Sequence, residues 1–324
     1  MTRRSSLLLL VAGALAAAVP PATAAAQAPA PVTPKLSITT ERVSVSGGRA
    51  SVLAGQSWRV RIVMQPLVAG QLATVRFYRD GRKLRVRQVA LQPSPTGASA
   101  FAVVPFTSGR AARIVVRASH RATPLMPTLR ARGVGVSVVA PSAAPGARGP
   151  AVRLLQSQLA AMGYVVGRAG FFDDRTARAV LAFRKVTGMA RTTIATPDVF
   201  RRLARGGGRF RVRFPEHGKH VEADLSRQVI ALIRDGKAER IYPVSSGKPS
   251  TPTIRGHFRV YLKAPGTKAK GMYMSSYFIR GYAIHGYPSV PVFPASHGCL
   301  RVPNSEAVGI FNWLARGDIV DVYA

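Results

Sequence analysis

Short runs in which apolar and polar residues alternate, separated by turn signals, constrain the fold of this chain most strongly. Residues 58–63 and 73–78 are two such runs. A period of two places successive side chains on opposite faces of a strand. Residues 79–82, Arg-Asp-Gly-Arg, lie between two runs and are typical of a hairpin turn. Several short strands with regular turn signals predict a β-sandwich-like domain over residues 35–140.

One later stretch has the period of a helix instead. Apolar residues recur at helical spacing over residues 152–162, and Asp174 is the predicted cap of a second helix that stops near Gly188. Thr196, followed by Pro197, opens a third helix. Three helices are therefore predicted in one small domain, residues 150–205. The linkers are then residues 27–34, 141–149 and 206–218, the last with a glycine run, 206–208, that predicts a flexible junction.

The last part of the chain, residues 219–324, returns to strand patterns. Residues 234–237 predict a hairpin turn, and one helix is expected over residues 305–315, capped by Asn304 or Ser305. Its apolar face would contain Val308, Phe311 and Leu314. The predicted fold class is a multidomain, mainly β protein: a β-sandwich-like domain, a small three-helix domain and a β-rich C-terminal domain.

The first residues have the three parts of a secretory signal peptide. Arg3 and Arg4 give a basic start, residues 7–19 are an unbroken apolar run, and small residues at 22–24 and 24–26 fit the cleavage pattern. The apolar run is short for a membrane span. We therefore expect residues 1–26 to direct export, with membrane attachment only where this segment is not cleaved.

The chain is strongly basic, with a formal net charge of +34 at pH 7. Such a field favours anionic partners. Expected export argues against nucleic acid and favours anionic wall polymers or phospholipid headgroups. The alternative is that an arginine-rich surface reflects genome composition, since Ala, Arg, Gly and Val are frequent throughout.

Cys299 is the only cysteine, and it lies in residues 296–301, Ser-His-Gly-Cys-Leu-Arg. An exported chain with one cysteine cannot form an internal disulfide. A thiol becomes a strong nucleophile beside a base or a positive charge. His285 and His297 are near it in sequence, so Cys299 is a candidate catalytic cysteine. The alternative is a small buried apolar residue.

The motif around Cys299, with His285 upstream, resembles the signature of L,D-transpeptidases of the YkuD type. The similarity extends from residue 221 to residue 323 and includes residues 224–228, 243–248 and 251–258. Glu306 lies near a position where many members have Asp. Residues 152–183 resemble the peptidoglycan-binding helical domain often attached to wall enzymes. The resemblance implies an enzyme that needs no cofactor or metal and acts on peptidoglycan stem peptides.

The resemblance also implies a mechanism. The Cys299 thiolate attacks the carbonyl between the third and fourth residues of a stem tetrapeptide, D-alanine leaves, and an amine resolves the thioester to form a cross-link. His285, oriented by the carbonyl of Gly286, is the implied base. Backbone N–H groups around Gly298, with His297, form the implied oxyanion site. Carbapenem β-lactams are expected to acylate Cys299.

Site roles follow from this resemblance. The implied catalytic residues are Cys299, His285, His297, Gly298 and Ser296. The implied substrate-binding residues are Arg301, Tyr273 and Gly286, with Tyr273 in a lid over residues 263–277.

Several alternatives stay open at this point. Hydrolysis, as in an L,D-carboxypeptidase, or attachment of a protein to the wall would use the same thioester. A non-catalytic wall-binding protein would not use it. A zinc site of His285, His297 and Cys299 has suitable ligand types, but the chain has no close His-x-x-x-His pair. The remaining histidines are interpreted as structural or solvated: His120, His217, His220 and His257.

Overall fold

Residues 33–324 are those that the computed structural model describes. The segment predicted to be a signal peptide, residues 1–26, and most of the first linker lie outside them. Within residues 33–324, no helix combines the length and the apolarity needed to cross a membrane.

The N-terminal part is a sandwich of two sheets. One sheet has the strand order β1-β4-β8-β7, and the other has the order β2-β3-β11-β9-β5-β6, with β10 beside β9. The strands are β1 (Lys35–Glu41), β2 (Ser44–Ser46), β3 (Arg49–Leu53), β4 (Ser57–Gln65), β5 (Leu72–Arg79), β6 (Arg82–Ala90), β7 (Gln92–Pro93), β8 (Ala100–Thr107), β9 (Ala112–His120), β10 (Leu129–Arg130) and β11 (Val134–Val139).

Alternation along these strands builds the core of the sandwich. Trp58 of β4 meets Phe106 of β8 edge to face, and Phe77 of β5 stacks on Phe106 at a centroid distance of 4.3 Å. The predicted hairpin is confirmed, because Arg79 pairs with Arg82 across the turn.

Three helices follow: α1 (Pro150–Ala160), α2 (Asp174–Val186) and α3 (Pro197–Ala204), called here the helical unit. The prediction that Asp174 caps α2 was wrong by one residue. Asp173 has the extended backbone of a cap, and its carboxylate accepts from the Thr176 N–H at 2.8 Å. Asp174 is the first helical residue, where its charge complements the helix dipole.

The C-terminal region, residues 219–324, contains two sheets and one helix. One sheet has the order β14-β13-β12-β20-β15, and the other has the order β16-β17-β18-β19. The elements are β12 (His220–Asp224), β13 (Val229–Arg234), β14 (Lys237–Pro243), β15 (Gly256–Arg259), β16 (Leu262–Thr267), β17 (Tyr273–Ile279), β18 (Tyr282–Tyr287), β19 (Leu300–Pro303), α4 (Asn304–Trp313) and β20 (Ile319–Tyr323). The mainly β fold class with helices between two β regions is confirmed.

Strand β13 is buried on both faces. Ile230 and Leu232 point into the core of the C-terminal region. Val229, Ala231 and Ile233 point the other way and share a core with the apolar side chains of the helical unit. The helical unit and the C-terminal region are therefore joined by apolar packing, which is the main stabilising term in folding.

The glycine run 206–208 is packed instead of forming a free tether. The Gly208 carbonyl accepts from the Tyr164 hydroxyl at 2.6 Å. Gly208 has φ +104°, and a Cβ there would lie 2.2 Å from the Phe183 ring. The flexible junction predicted from the glycines is wrong, because the N–H groups of Gly206 and Gly207 bond to the end of α3 and Gly208 lies against an aromatic ring.

The exposed face of α4 differs from the prediction. Of the three residues predicted for its apolar face, Val308 is exposed, Phe311 is half-buried and Leu314 is buried. The other buried residues of the helix are Glu306, Ala307 and Ile310. The helix begins after Pro303, with no side-chain cap from Asn304 or Ser305. Glu306 turns inward because Arg175 and Arg178 of α2 donate to it, at 2.8 and 3.2 Å.

We expect Glu306→Ala to lower the free energy of unfolding by about 2 kcal/mol, because it leaves two arginines without their buried acceptor. Asp198→Ala is the control, since its ion pair with Arg201 is exposed and such pairs contribute at most about 1 kcal/mol. Urea unfolding of both variants would check this, and equal losses would contradict a special role for Glu306.

Candidate active site

The residues that precede Cys299 form a tight turn. Ser296 is fully buried, and its hydroxyl donates to the Cys299 carbonyl at 2.6 Å. The same oxygen accepts from the Gly298 N–H at 3.1 Å. The Ser296 side chain therefore fixes both the N–H of Gly298 and the carbonyl of Cys299.

Gly298 is required at its position on two grounds. Its φ is +112°, which residues with a side chain rarely adopt. A Cβ there would also lie 1.7 Å from Cε1 of Tyr282. The ring of Tyr282 thus covers the backbone next to Cys299.

The turn is supported from behind by residues that the sequence analysis did not single out. The Thr253 hydroxyl donates to the Gly298 carbonyl at 2.8 Å and accepts from the Gly247 N–H at 2.9 Å. The Thr251 hydroxyl donates to the Ser296 carbonyl at 3.1 Å. Both threonines lie in segments that carry the family resemblance, which was the available signal.

His285 lies beside the turn because β18 and β19 pair in parallel, with His285 opposite Arg301. Its Nδ1 is 2.8 Å from the Gly286 carbonyl oxygen. A carbonyl only accepts, so Nδ1 carries the proton and Nε2 of a neutral ring is a free acceptor. Burial lowers the pKa of His285, with a further contribution from the Arg301 charge, while the Gly286 hydrogen bond opposes this.

The Cys299 thiol is half-buried, and its Sγ lies 3.7 Å from the Gly281 carbonyl oxygen in the β17–β18 turn. Burial raises the pKa of Cys299, against smaller opposing effects of the Ala283 N–H and the Arg301 charge. Burial thus favours the neutral form of each group, an imidazole at His285 and a thiol at Cys299.

The other residues singled out from the sequence are placed as follows. The Arg301 guanidinium lies 4.1 Å from the centre of the Tyr287 ring, and it donates to the Ala295 carbonyl at 3.4 Å. Gly286 is buried, and a Cβ there would lie 2.7 Å from Ala307 Cβ. Gly286 contacts the site through its carbonyl oxygen, which accepts from His285 Nδ1.

Tyr273 and His297 complete the set. Tyr273 begins β17 and pairs with Gly286 of β18, in the β16–β17 hairpin where a lid was expected. It packs partly against the core of the C-terminal region. The His297 side chain is exposed on the surface of the turn.

A separate cluster of histidines surrounds the buried carboxylate of Asp321. His257 Nδ1 and His217 Nδ1 lie 2.6 and 3.0 Å from its two oxygens. The three donor atoms lie within 4.8 Å of one another, a donor set that suits a transition metal. Although burial opposes its charge, hydrogen bonds with Glu222 and the Gly218 carbonyl raise the pKa of His220. The His220 Nε2 atom lies 3.9 Å from Asp321, whose two oxygens already have hydrogen-bond partners in His217 and His257.

These histidines were interpreted as structural, and the structure gives each of them a partner. His220 bonds to Glu222 at 3.3 Å, and His120 Nδ1 lies 2.8 Å from the Leu72 carbonyl oxygen. Except for Glu222, which is two residues from His220, these partners lie far away in sequence, so the sequence pattern could not identify them.

We expect Gly298→Ala to destabilise the protein by about 2–4 kcal/mol, from backbone strain and overlap with the Tyr282 ring. Tyr282→Ala in the same chain removes the overlap but leaves the strain, so the double variant should be less destabilised than the sum of the two single variants. Thermal unfolding of all three variants tests this, and additive losses would show that the ring does not limit residue 298.

Comparisons with known proteins agree with this site. A model of the L,D-transpeptidase catalytic domain, YkuD, matches residues 218–322. A second model, described as a peptidoglycan binding domain, matches residues 148–203. A curated Bacillus licheniformis protein with the provisional name L,D-transpeptidase YkuD is 27% identical over 105 residues. That match covers 32% of this chain and 64% of the relative, so the chain spans less than two thirds of its length.

The solved structure of an L,D-transpeptidase, residues 123–326, from Xylanimonas cellulosilytica is 34% identical to this chain. The match covers 56% of this chain and 97% of that structure, with a TM-score of 0.52. It is long enough to include both the helical unit and the C-terminal region. The chain therefore belongs to the L,D-transpeptidase family, and its C-terminal region is a YkuD-type catalytic domain.

Proposed function

We propose that this protein is an exported peptidoglycan L,D-transpeptidase. Cys299 attacks the carbonyl that joins the third and fourth residues of a stem tetrapeptide, and D-alanine leaves as the C–N bond breaks. An amine from a neighbouring stem then attacks the thioester, which restores the thiol and forms a cross-link. The family membership of the chain supports acyl transfer, and its two peptidoglycan-related domains support a site of action in the cell wall.

The observation that carries the proposal is the hydrogen bond between His285 Nδ1 and the Gly286 carbonyl oxygen. It leaves Nε2 as the acceptor for the thiol proton, so His285 acts as the base while sulfur attacks. The same proton then goes to the leaving amine of D-alanine. Because burial favours the neutral form of both groups, we propose that the proton moves during attack and not before it.

An oxyanion site is proposed next to the nucleophile. Ser296 already engages the Gly298 N–H, so the Cys299 N–H and the exposed His297 are the proposed donors to the developing oxyanion. Gly298 contributes the positive-φ backbone conformation of this turn. Ser296 holds this geometry.

Roles in substrate binding stay predictions. Arg301 is held by Tyr287 and the Ala295 carbonyl, a position from which it fixes the loop and presents positive charge to a stem carboxylate. Tyr273 of β17 and Gly286 of β18 are paired across these two strands. The basic surface is proposed to favour anionic wall polymers.

Cys299→Ala is expected to give no covalent adduct and no D-alanine release when the protein lacking residues 1–26 is incubated with a stem tetrapeptide. His285→Ala should slow acylation by about 10²-fold or more, because the thiol loses its base. Intact mass spectrometry measures the adduct, and His120→Ala, in the N-terminal sandwich, is the matched control. Persistent turnover in Cys299→Ala would rule out the thiol mechanism.

Two pH profiles test the neutral pair. Burial lowers the pKa of His285 below the ordinary value of about 6.5. The acylation rate should therefore stay constant from neutral pH to about 6.5 and decline only at a lower pH, where the imidazole gains a proton. Because burial raises the pKa of Cys299, alkylation by iodoacetamide, which needs the thiolate, should increase only above about pH 9. An alkylation plateau at neutral pH would instead indicate a preformed thiolate–imidazolium pair.

A further inference from the structure

One side chain of the helical unit reaches the loop that leads to residues 296–299, the turn that ends at the proposed nucleophile and is called here the catalytic turn. Arg191, in the segment between α2 and α3, donates from Nη1 to the Val292 carbonyl at 2.9 Å. It donates from Nη2 to the Ser226 carbonyl at 3.0 Å. Val292 lies four residues before Ser296, in the proline-containing loop, residues 288–295, that follows the strand of His285. One guanidinium thus connects this loop to the turn after β12.

A second side chain supports the same place from the interior. Lys185 of α2 is 3% exposed, and its ammonium donates to the carbonyls of Gln228 and Val244, at 3.0 and 3.1 Å. Burial lowers the pKa of Lys185 to about 7. A buried polar group is retained only where hydrogen bonds offset its desolvation, and here both acceptors belong to the C-terminal region.

A chain of hydrogen bonds continues from Gln228 to the catalytic turn. Its side chain bonds to Ser246 twice: Nε2 donates to Oγ at 2.6 Å, and Oε1 accepts from the N–H at 3.0 Å. The Ser246 carbonyl in turn accepts from the N–H groups of Ala295 and Ser296, both at 2.9 Å. Ser296 is the residue that fixes Gly298 and Cys299.

Both routes end within residues 292–296, directly before the nucleophile. We propose that the helical unit, besides any role in wall binding, is a positioning element that holds the catalytic turn in register through Arg191 and Lys185. Arg191 is thus a positioning residue, since it acts through the loop and not on substrate. The inference rests on the proposed acyl transfer at Cys299 and adds to it a dependence on the docked helical unit.

Arg191→Ala is the decisive variant, because Arg191 is exposed and its loss should not prevent folding. A carbapenem is the probe, since it is small and needs no contact with glycan. The maximal rate of Cys299 acylation should fall about tenfold, with little change in the probe concentration at half-maximal rate, because small displacements of a reacting group are costly in rate. Arg205→Ala, an exposed arginine at the end of α3, is the charge-matched control and should acylate at the wild-type rate.

Arg191→Lys separates positioning from charge. Lysine keeps the charge but lacks the fork that reaches two carbonyls, so an intermediate rate is expected, whereas full rescue would show that charge alone matters and would overturn the proposal. Lys185→Met removes the second route and should also slow acylation, provided that its melting curve stays cooperative. An acylation rate of Arg191→Ala within twofold of the wild-type rate would likewise overturn the proposal.

Hydrogen exchange gives a readout that does not depend on activity. In Arg191→Ala, the amides of Val292, Phe293, Ala295 and Ser296 should exchange about tenfold faster than in wild type and in Arg205→Ala, because their support is loosened. If the wild-type protein were not acylated at all, the proposed function would fail, and the exchange comparison alone would then decide whether Arg191 holds the loop. Unchanged exchange in that case would refute the positioning role.

Discussion

The burial of β13 on two faces is the constraint on which the rest of this structure depends. Ile230 and Leu232 contribute to one core, and Val229 and Ala231 to another. A strand with two apolar faces has no stable solvated side, so the helical unit has to cover it. The polar contacts between the two parts then only need to set register and orientation, since apolar area provides most of the attraction.

The catalytic turn is held almost entirely by bonds to backbone atoms. Ser296, Thr251 and Thr253 each donate to a main-chain carbonyl of the turn. Bonds of this kind fix the path of the chain whatever side chains it carries, and they leave the thiol of Cys299 and the free nitrogen of His285 as the groups still available for chemistry.

Local features of the fold could be predicted from the sequence, and long-range ones could not. The hairpin at residues 234–237 depends only on its own Asp-Gly pair, whose positive φ angles suit a tight turn. The catalytic turn likewise consists of consecutive residues, with hydrogen bonds from Ser296 to Gly298 and Cys299. In contrast, Tyr282 over Gly298 and Glu306 facing α2 depend on partners brought together by tertiary packing, which hydrophobic periodicity does not encode. The run of apolar residues 229–233 was the one local sign that both faces of β13 are covered.

The raised pKa of Cys299 has a consequence for the reactivity of this thiol toward oxidants. Peroxides and disulfides react with thiolates and only slowly with thiols. A cysteine whose pKa is raised has a smaller thiolate fraction at a given pH, so it reacts more slowly with these oxidants. The burial that lowers the thiolate fraction of Cys299 therefore also slows the oxidation of the lone sulfhydryl of the chain.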